Sequence, residues 1–128
     1  MECTQFGADA AIQDELAELV ISGPKRATSS RRRWYGPGGE RFPAVGDLFV
    51  VLDARRTPRY ICRTTAVEIR AFRDVDAAFA WDEGEGDRTL RAWQMIHQNF
   101  FPAEARAGGF DFSEDSLIVL HRFEMVTR

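Results

Sequence analysis

Apolar residues recur at helical spacing in two stretches of the chain and gather in short, strand-like runs in three others. Between about Asp9 and Ser22, Ile12, Leu16, Leu19 and Val20 fall on one face, while Gln13, Asp14, Glu15 and Glu18 stay wet. Asp9 is the expected cap of this helix, and Gly23 then Pro24 stop it. Residues 26–33 read as an extended segment, followed by a loop from Tyr35 to Gly46 that contains Gly36-Pro37-Gly38-Gly39 and Pro43. A buried strand is expected at 47–53, rich in branched and aromatic residues, and a second from about Arg59 to Phe72. The turn from Ala54 to Pro58 makes the two a hairpin. A short helix near Val75–Trp81 leads to the acidic loop Asp82–Asp87. A longer helix then runs from about Arg88 to Phe100, with Leu90, Trp93, His97 and Phe100 on one stripe and Asp87 as its cap. Beyond Gly108-Gly109, Leu117 to Val126 reads as a last strand. Helix, strands, helices, strand is an α+β order. Three long strands and the short segment after Lys25 suit a small, partly closed β-barrel flanked by helices.

At 128 residues, without repeat or linker, the chain reads as one domain over 1–128. No apolar run approaches the ~20 residues that span a bilayer, so no membrane partner is expected. The first ten residues lack the basic-then-apolar pattern of a secretory signal. Two cysteines, Cys3 and Cys62, are too few for a disulfide framework and read as reduced thiols. The expected location is therefore cytoplasmic.

The formal net charge of −3 argues against a protein that grips nucleic acid by charge alone. Its distribution is uneven. Five of the nine residues from Lys25 to Arg33 are basic, whereas the remainder carries 12 basic against 20 acidic residues. A positive strip on an acidic body suits an anionic ligand held at one place, and equally suits a solvated arginine-rich loop.

Lysine occurs once, at Lys25, against sixteen arginines. A guanidinium stays protonated, while an ammonium can be driven to neutrality and act as a base or nucleophile. The lone lysine is thus a candidate for a place where arginine would not serve. Thr28 follows three residues on. Along an extended segment Thr28, Ser30 and Arg32 share one face, offering two hydroxyls and a guanidinium.

Glu83, Glu85 and Asp87 form a second group, alternating with glycines that bring backbone and carboxylates close to a ligand. Calcium is excluded. A count starting at Glu83 puts Arg88 where the turn glycine belongs and Gln94 where the bidentate glutamate belongs. For Glu85 the choice is between a solvated carboxylate and a partner of Lys25 that keeps a proton available for transfer. His97 reads as a core-lining histidine with its polar tip satisfied. His121, in the last strand, receives no role. No metal site is expected, because no second histidine or cysteine shares the spacing of His97. Trp34 and Tyr35, between Arg33 and a glycine-rich loop, are the better candidates for stacking on a base; Trp81 and Trp93 are weaker ones.

Taken together, these elements resemble an ASCH domain, a small β-barrel related to the PUA RNA-binding domain. The resemblance is carried by Gly23-x-Lys25-x-x-Thr28-x-Ser30, Val45-Gly46-Asp47-Leu48, Leu52-Asp53, Thr64-Thr65-Ala66-Val67-Glu68 and Phe79-Ala80. Its most specific stretch is Glu83-Gly84-Glu85-Gly86-Asp87-Arg88-Thr89-Leu90-x-x-Trp93, followed by His97 and Phe100-Phe101. It covers roughly residues 12 to 126 and is similar to the longer bacterial branch of the family. The resemblance implies a PUA-like fold and RNA or a modified nucleoside as partner, with no cofactor. Some bacterial members are described as ribonucleases. A shorter bacterial branch hydrolyses acyl amides on the exocyclic nitrogen of cytidine with a lysine, a threonine and a glutamate. Lys25 and Thr28 match the first two, and Glu85 or Glu83 the third. The loop lengths differ from that branch, and Pro24 and the arginines at 31–33 depart from the commoner pattern.

Two kinds of activity follow. In the first, Lys25, Arg26, Arg31 and Arg32 contact RNA phosphates while Lys25, Thr28 or Ser30 assist phosphodiester cleavage. In the second, an acylated nucleoside is hydrolysed with Lys25 as base, Thr28 as nucleophile or water-positioner and Glu85 as proton shuttle. A binding module without chemistry is the third possibility. Gly23, Glu83, Asp87 and Arg88 complete the expected ligand-contacting set, with Arg26, Ser30, Arg32, Trp34 and Tyr35.

Overall fold

In a computed structural model of the chain, residues 2–7, 9–32, 35 and 41–127 are described. The elements are β1 (Glu2–Thr4), α1 (Ala10–Ser22), β2 (Ala27–Arg31), β3 (Leu48–Leu52), β4 (Pro58–Ala71), α2 (Ala77–Glu83), α3 (Leu90–Ala107) and β5 (Leu117–Thr127), with a 3-10 turn at Phe72–Asp74. The strands form one five-stranded sheet in the order β1-β3-β4-β5-β2, a mixed half-barrel with three helices. Among the described strands, β1 and β3 pair in parallel and the other neighbours are antiparallel. The α+β expectation is met.

Two apolar clusters pack against this sheet. Leu16, Ala17 and Val20 of α1 join Phe6, Phe49, Val51, Tyr60, Cys62 and Phe123. The other cluster joins Ala27, Phe72, Phe79, Trp93, Phe101, Ile118 and Leu120, with Val75 and Ala80. Along β5, Ile118 and Leu120 serve one cluster and Phe123 the other, as the period-two alternation of a strand requires. β2 lies at the sheet edge, paired only to β5 among the described strands, and α2 crosses close to it, with Arg26 N donating to Asp82 O at 2.7 Å.

Several boundaries differ from expectation. β1 has no signature of its own, because its three residues are held by pairing to β3. α2 runs on to Glu83, so this carboxylate is helical rather than part of the loop. α3 continues through Pro102 to Ala107. Its cap is Thr89, whose hydroxyl accepts from Ala92 N. Asp87 is not the cap; its Oδ1 accepts from Thr89 N at 2.9 Å and Thr89 Oγ1 at 2.6 Å, bracing the residue that is. No helix among the described residues is long and apolar enough to cross a membrane.

Candidate functional site

The end of α1 delivers Lys25 to the interior. Gly23 adopts φ +110°, a left-handed conformation open to glycine, and its N–H bonds Leu19 O and Val20 O. Lys25 N then bonds Leu19 O at 3.2 Å, and the lysine side chain is fully buried. Its Nζ donates to Ala27 O at 2.8 Å and to Glu83 O at 3.3 Å. It also meets Glu85 Oε2 at 2.9 Å and Glu83 Oε2 at 3.4 Å, above the Phe6 ring at 5.2 Å. Every polar neighbour of Nζ is an acceptor, which suits a group with three N–H bonds and no lone pair.

The carboxylates arrive from α2. The helix ends at Gly84, φ +73°, where a Cβ would overlap Pro24 O and come within 2.5 Å of Pro24 C. This close approach locks the two halves of the site together. Gly84→Ala is expected to cost more than about 2 kcal/mol, from the left-handed backbone and the displaced Pro24 carbonyl. Urea unfolding checks this, and an unchanged midpoint would contradict the close approach.

Glu83 is buried and fully engaged. Its Oε1 accepts from Trp93 Nε1 at 2.8 Å and Ser29 Oγ at 2.6 Å, and its Oε2 faces Lys25 and His97 Nε2, the latter at 3.5 Å. Burial pushes the Glu83 carboxyl up, but His97, Lys25 and the hydrogen bonds outweigh it and hold the group well below the usual carboxylate range. His97 Nδ1 donates to Trp93 O at 2.8 Å, so both ring nitrogens face acceptors. Burial lowers the His97 value, yet Glu83 prevails and raises it above the ordinary one. Glu85 behaves differently: its side chain keeps 16% of its exposure. Burial, helped by the charge of Glu83, raises its pKa against the opposing pull of Lys25. The site therefore contains one deep carboxylate held ionised well below the usual carboxylate range and one partly accessible carboxylate that holds a proton more readily.

The remaining predicted residues divide. Thr28 pairs with His121 across the β2–β5 ladder and makes no side-chain hydrogen bond among the described residues. Ser30 Oγ and Tyr35 Oη lie 2.6 Å apart, and the Tyr35 ring meets Phe42 edge-on. The Arg32 guanidinium sits over the Phe42 ring. Arg88, at φ 68°, stacks on Trp81 at 3.6 Å and bonds Trp81 O and Pro24 O, closing over the α2 turn. Trp34 lies outside the described residues.

Among the described residues, three of the four cations of the basic strip have carboxylate partners. Arg31 is buried against Glu104 at 2.7 Å, Arg26 lies 3.6 Å from Asp82, and Lys25 is internal. Of the four cations expected to meet phosphate, Lys25 and Arg31 are instead committed to buried partners.

Ser29, Trp93 and His97 also belong to the site; sequence reasoning gives Ser29 no part, makes Trp93 only a weaker stacking candidate and reads His97 as core-lining. Ser29 points to the opposite face of β2 from Thr28, the face it shares with Ala27 and against which Phe79 and Ala80 of α2 pack. The Trp93 indole offered a usable signal, since a buried N–H needs an acceptor and Glu83 is ten residues away. Glu83, Glu85 and His97 also place one potential ligand atom each within 4.8 Å of one another. The donor set does not fit a metal, because the Lys25 ammonium already lies between the carboxylates, where a second cation would be repelled.

The ASCH domain model matches residues 2–127. The crystal structure of an ASCH domain from Lactobacillus crispatus superposes with a TM-score of 0.93 at 38% identity, covering 99% of this chain and 80% of that one. A crystal structure of a protein from Enterococcus faecalis gives 0.88 at 34% identity, covering 98% and 80%. None of the curated proteins matches the chain. The sequence match and the shared architecture together place this chain in the ASCH domain family.

Proposed function

We propose that this ASCH domain hydrolyses a small, uncharged acylated nucleoside of the N4-acylcytidine kind. The observation that carries the reading is the contact of 2.9 Å between Lys25 Nζ and Glu85 Oε2, with Glu85 half-buried and raised in pKa. A general base works best when its pKa lies near the operating pH, and burial moves Glu85 in that direction. Glu83 and Glu85 face Lys25 and His97, so two negative groups meet two basic ones. Such a balanced cluster favours a neutral ligand over a polyanion.

In this mechanism Glu85 takes a proton from water as the water oxygen attacks the acyl carbon. The Lys25 charge steadies the oxyanion of the tetrahedral intermediate and holds Glu85 in place. The bond from acyl carbon to N4 then breaks, Glu85 returns the proton to N4, and a carboxylic acid and cytidine leave. Thr28, whose hydroxyl makes no side-chain hydrogen bond among the described residues, is assigned the positioning of the water. The proton-accepting role thus moves from Lys25, where the sequence suggested it, to Glu85.

RNA binding is the second reading, favoured by Arg26, whose side chain is 58% exposed. Incubation with N4-acetylcytidine and, separately, with a mixed-sequence 20-mer RNA at low salt distinguishes the two. Free cytidine with intact RNA is the expected outcome; RNA fragments without cytidine would overturn it.

A further inference from the structure

His121 was given no role by its sequence position, yet it lies directly across the β2–β5 ladder from Thr28. Residues opposed in this way have Cβ atoms about 5 Å apart on one face of the sheet. The imidazole is wedged against Phe49, with centroids 5.4 Å apart, and Phe123, at 5.9 Å. Its Nε2 lies 2.7 Å from Thr64 Oγ1. β4 shifts register between Thr64 and Ala66, a bulge of the kind that re-aims side chains beside functional sites. The Thr64 backbone in turn fixes the neighbouring loop, with Gly46 N donating to Thr64 O and Thr64 N to Asp47 O.

The hydrogen-bond network assigns the tautomer. Thr64 is 1% exposed, and its hydroxyl has His121 as its one partner among the described residues. A buried hydroxyl whose proton lacks an acceptor is costly, so Thr64 donates to Nε2 and the ring proton resides on Nδ1. Nδ1 has no partner among the described residues, and no fully buried side-chain nitrogen or oxygen there lacks one, so Nδ1–H of this half-buried residue keeps some solvent exposure. Burial outweighs the pull of Asp47 and brings the His121 pKa to about 4, keeping the ring neutral. The result is an uncharged donor, held rigidly, beside the Thr28 hydroxyl.

We propose that His121, held by Thr64, forms a recognition subsite whose Nδ1–H binds a carbonyl oxygen of an uncharged ligand, the ring carbonyl of a pyrimidine base when the ligand is a nucleoside. This rests on the nucleoside reading above and adds what selects the base. A neutral donor fits a carbonyl without attracting phosphate, in keeping with the balanced charge around Lys25. Thr64 is a positioning residue in this scheme, acting through the histidine tautomer.

Binding of cytidine, the product, which keeps the ring carbonyl and is not turned over, is measured by calorimetry in the otherwise intact chain, with thermal melting as the check on folding. His121→Phe keeps an aromatic ring against Phe49 and Phe123 and removes the donor; affinity is expected to fall about 10- to 100-fold. His121→Asn, whose amide nitrogen is as far along the side chain as Nδ1, recovers most of that loss. Nitrogen-15 NMR of the histidine ring reports Nδ1–H in the wild type, and Thr64→Val shifts the ring toward Nε2–H while weakening binding. Unchanged affinity in His121→Phe, or an Nε2–H tautomer in the wild type, overturns the subsite and leaves the hydrolase reading standing. A wild type that binds neither N4-acetylcytidine nor cytidine overturns both.

Discussion

Glu85→Gln is expected to leave a folded protein whose turnover of N4-acetylcytidine is reduced roughly 100- to 10,000-fold, the usual contribution of a positioned general base. The amide keeps the shape of the side chain and still offers an oxygen to Lys25 Nζ, which also retains Ala27 O and Glu83. Turnover suffers because an amide cannot take a proton, while KM changes little. The wild-type pH profile carries the same signature. Since burial raises the Glu85 pKa, activity rises with pH through a value above the ordinary 4.5 of a glutamate, and this limb disappears in Glu85→Gln. Full kcat in the variant would remove Glu85 from the chemistry.

Glu83→Gln is expected to lower stability by about 3–5 kcal/mol, the cost of removing one partner from a buried ion pair. The loss leaves two buried basic groups, Lys25 and His97, without the carboxylate between them. Folding lowers the Glu83 pKa, so its contribution is present above about 4.5 and is lost as pH falls through the folded value. Folding raises the His97 pKa, so its contribution is complete below about 6.5 and is lost as pH rises through the folded value. The pair therefore stabilises most between those limits. Urea unfolding across this range, in a Glu85→Gln background that removes the opposing titration of Glu85, should show a maximum that Glu83→Gln flattens. Equal stability of the two proteins at every pH would mean that the ion pair is not formed.

The strands and helices were legible because each follows a local rule: period two or a branched apolar run for β3, β4 and β5, a 3.6 period for α1 and α3. What escaped was set by tertiary contact. β1 exists through its pairing with β3, and α3 carries Pro102 within a helix that sequence reasoning ended at Phe100. Lys25 stood out through composition alone, and the Lys25–Glu85 contact is the pairing that the sequence suggested and could not establish. The deeper residues were hidden for a physical reason. Ser29 contacts Glu83 because α2 packs on the face of β2 that Ser29 shares with Ala27, a tertiary contact that strand periodicity alone does not announce. His97 and Trp93 lie on the apolar stripe of α3, where a polar tip serving a site and one satisfied by the core have the same spacing.

The most direct test of the account is product formation from N4-acetylcytidine by the wild type and by Glu85→Gln, followed by chromatography under identical conditions. Cytidine and acetate from the wild type, with at least a hundredfold less from the variant, is the predicted result. Equal cytidine from both proteins, or none from the wild type, would contradict it.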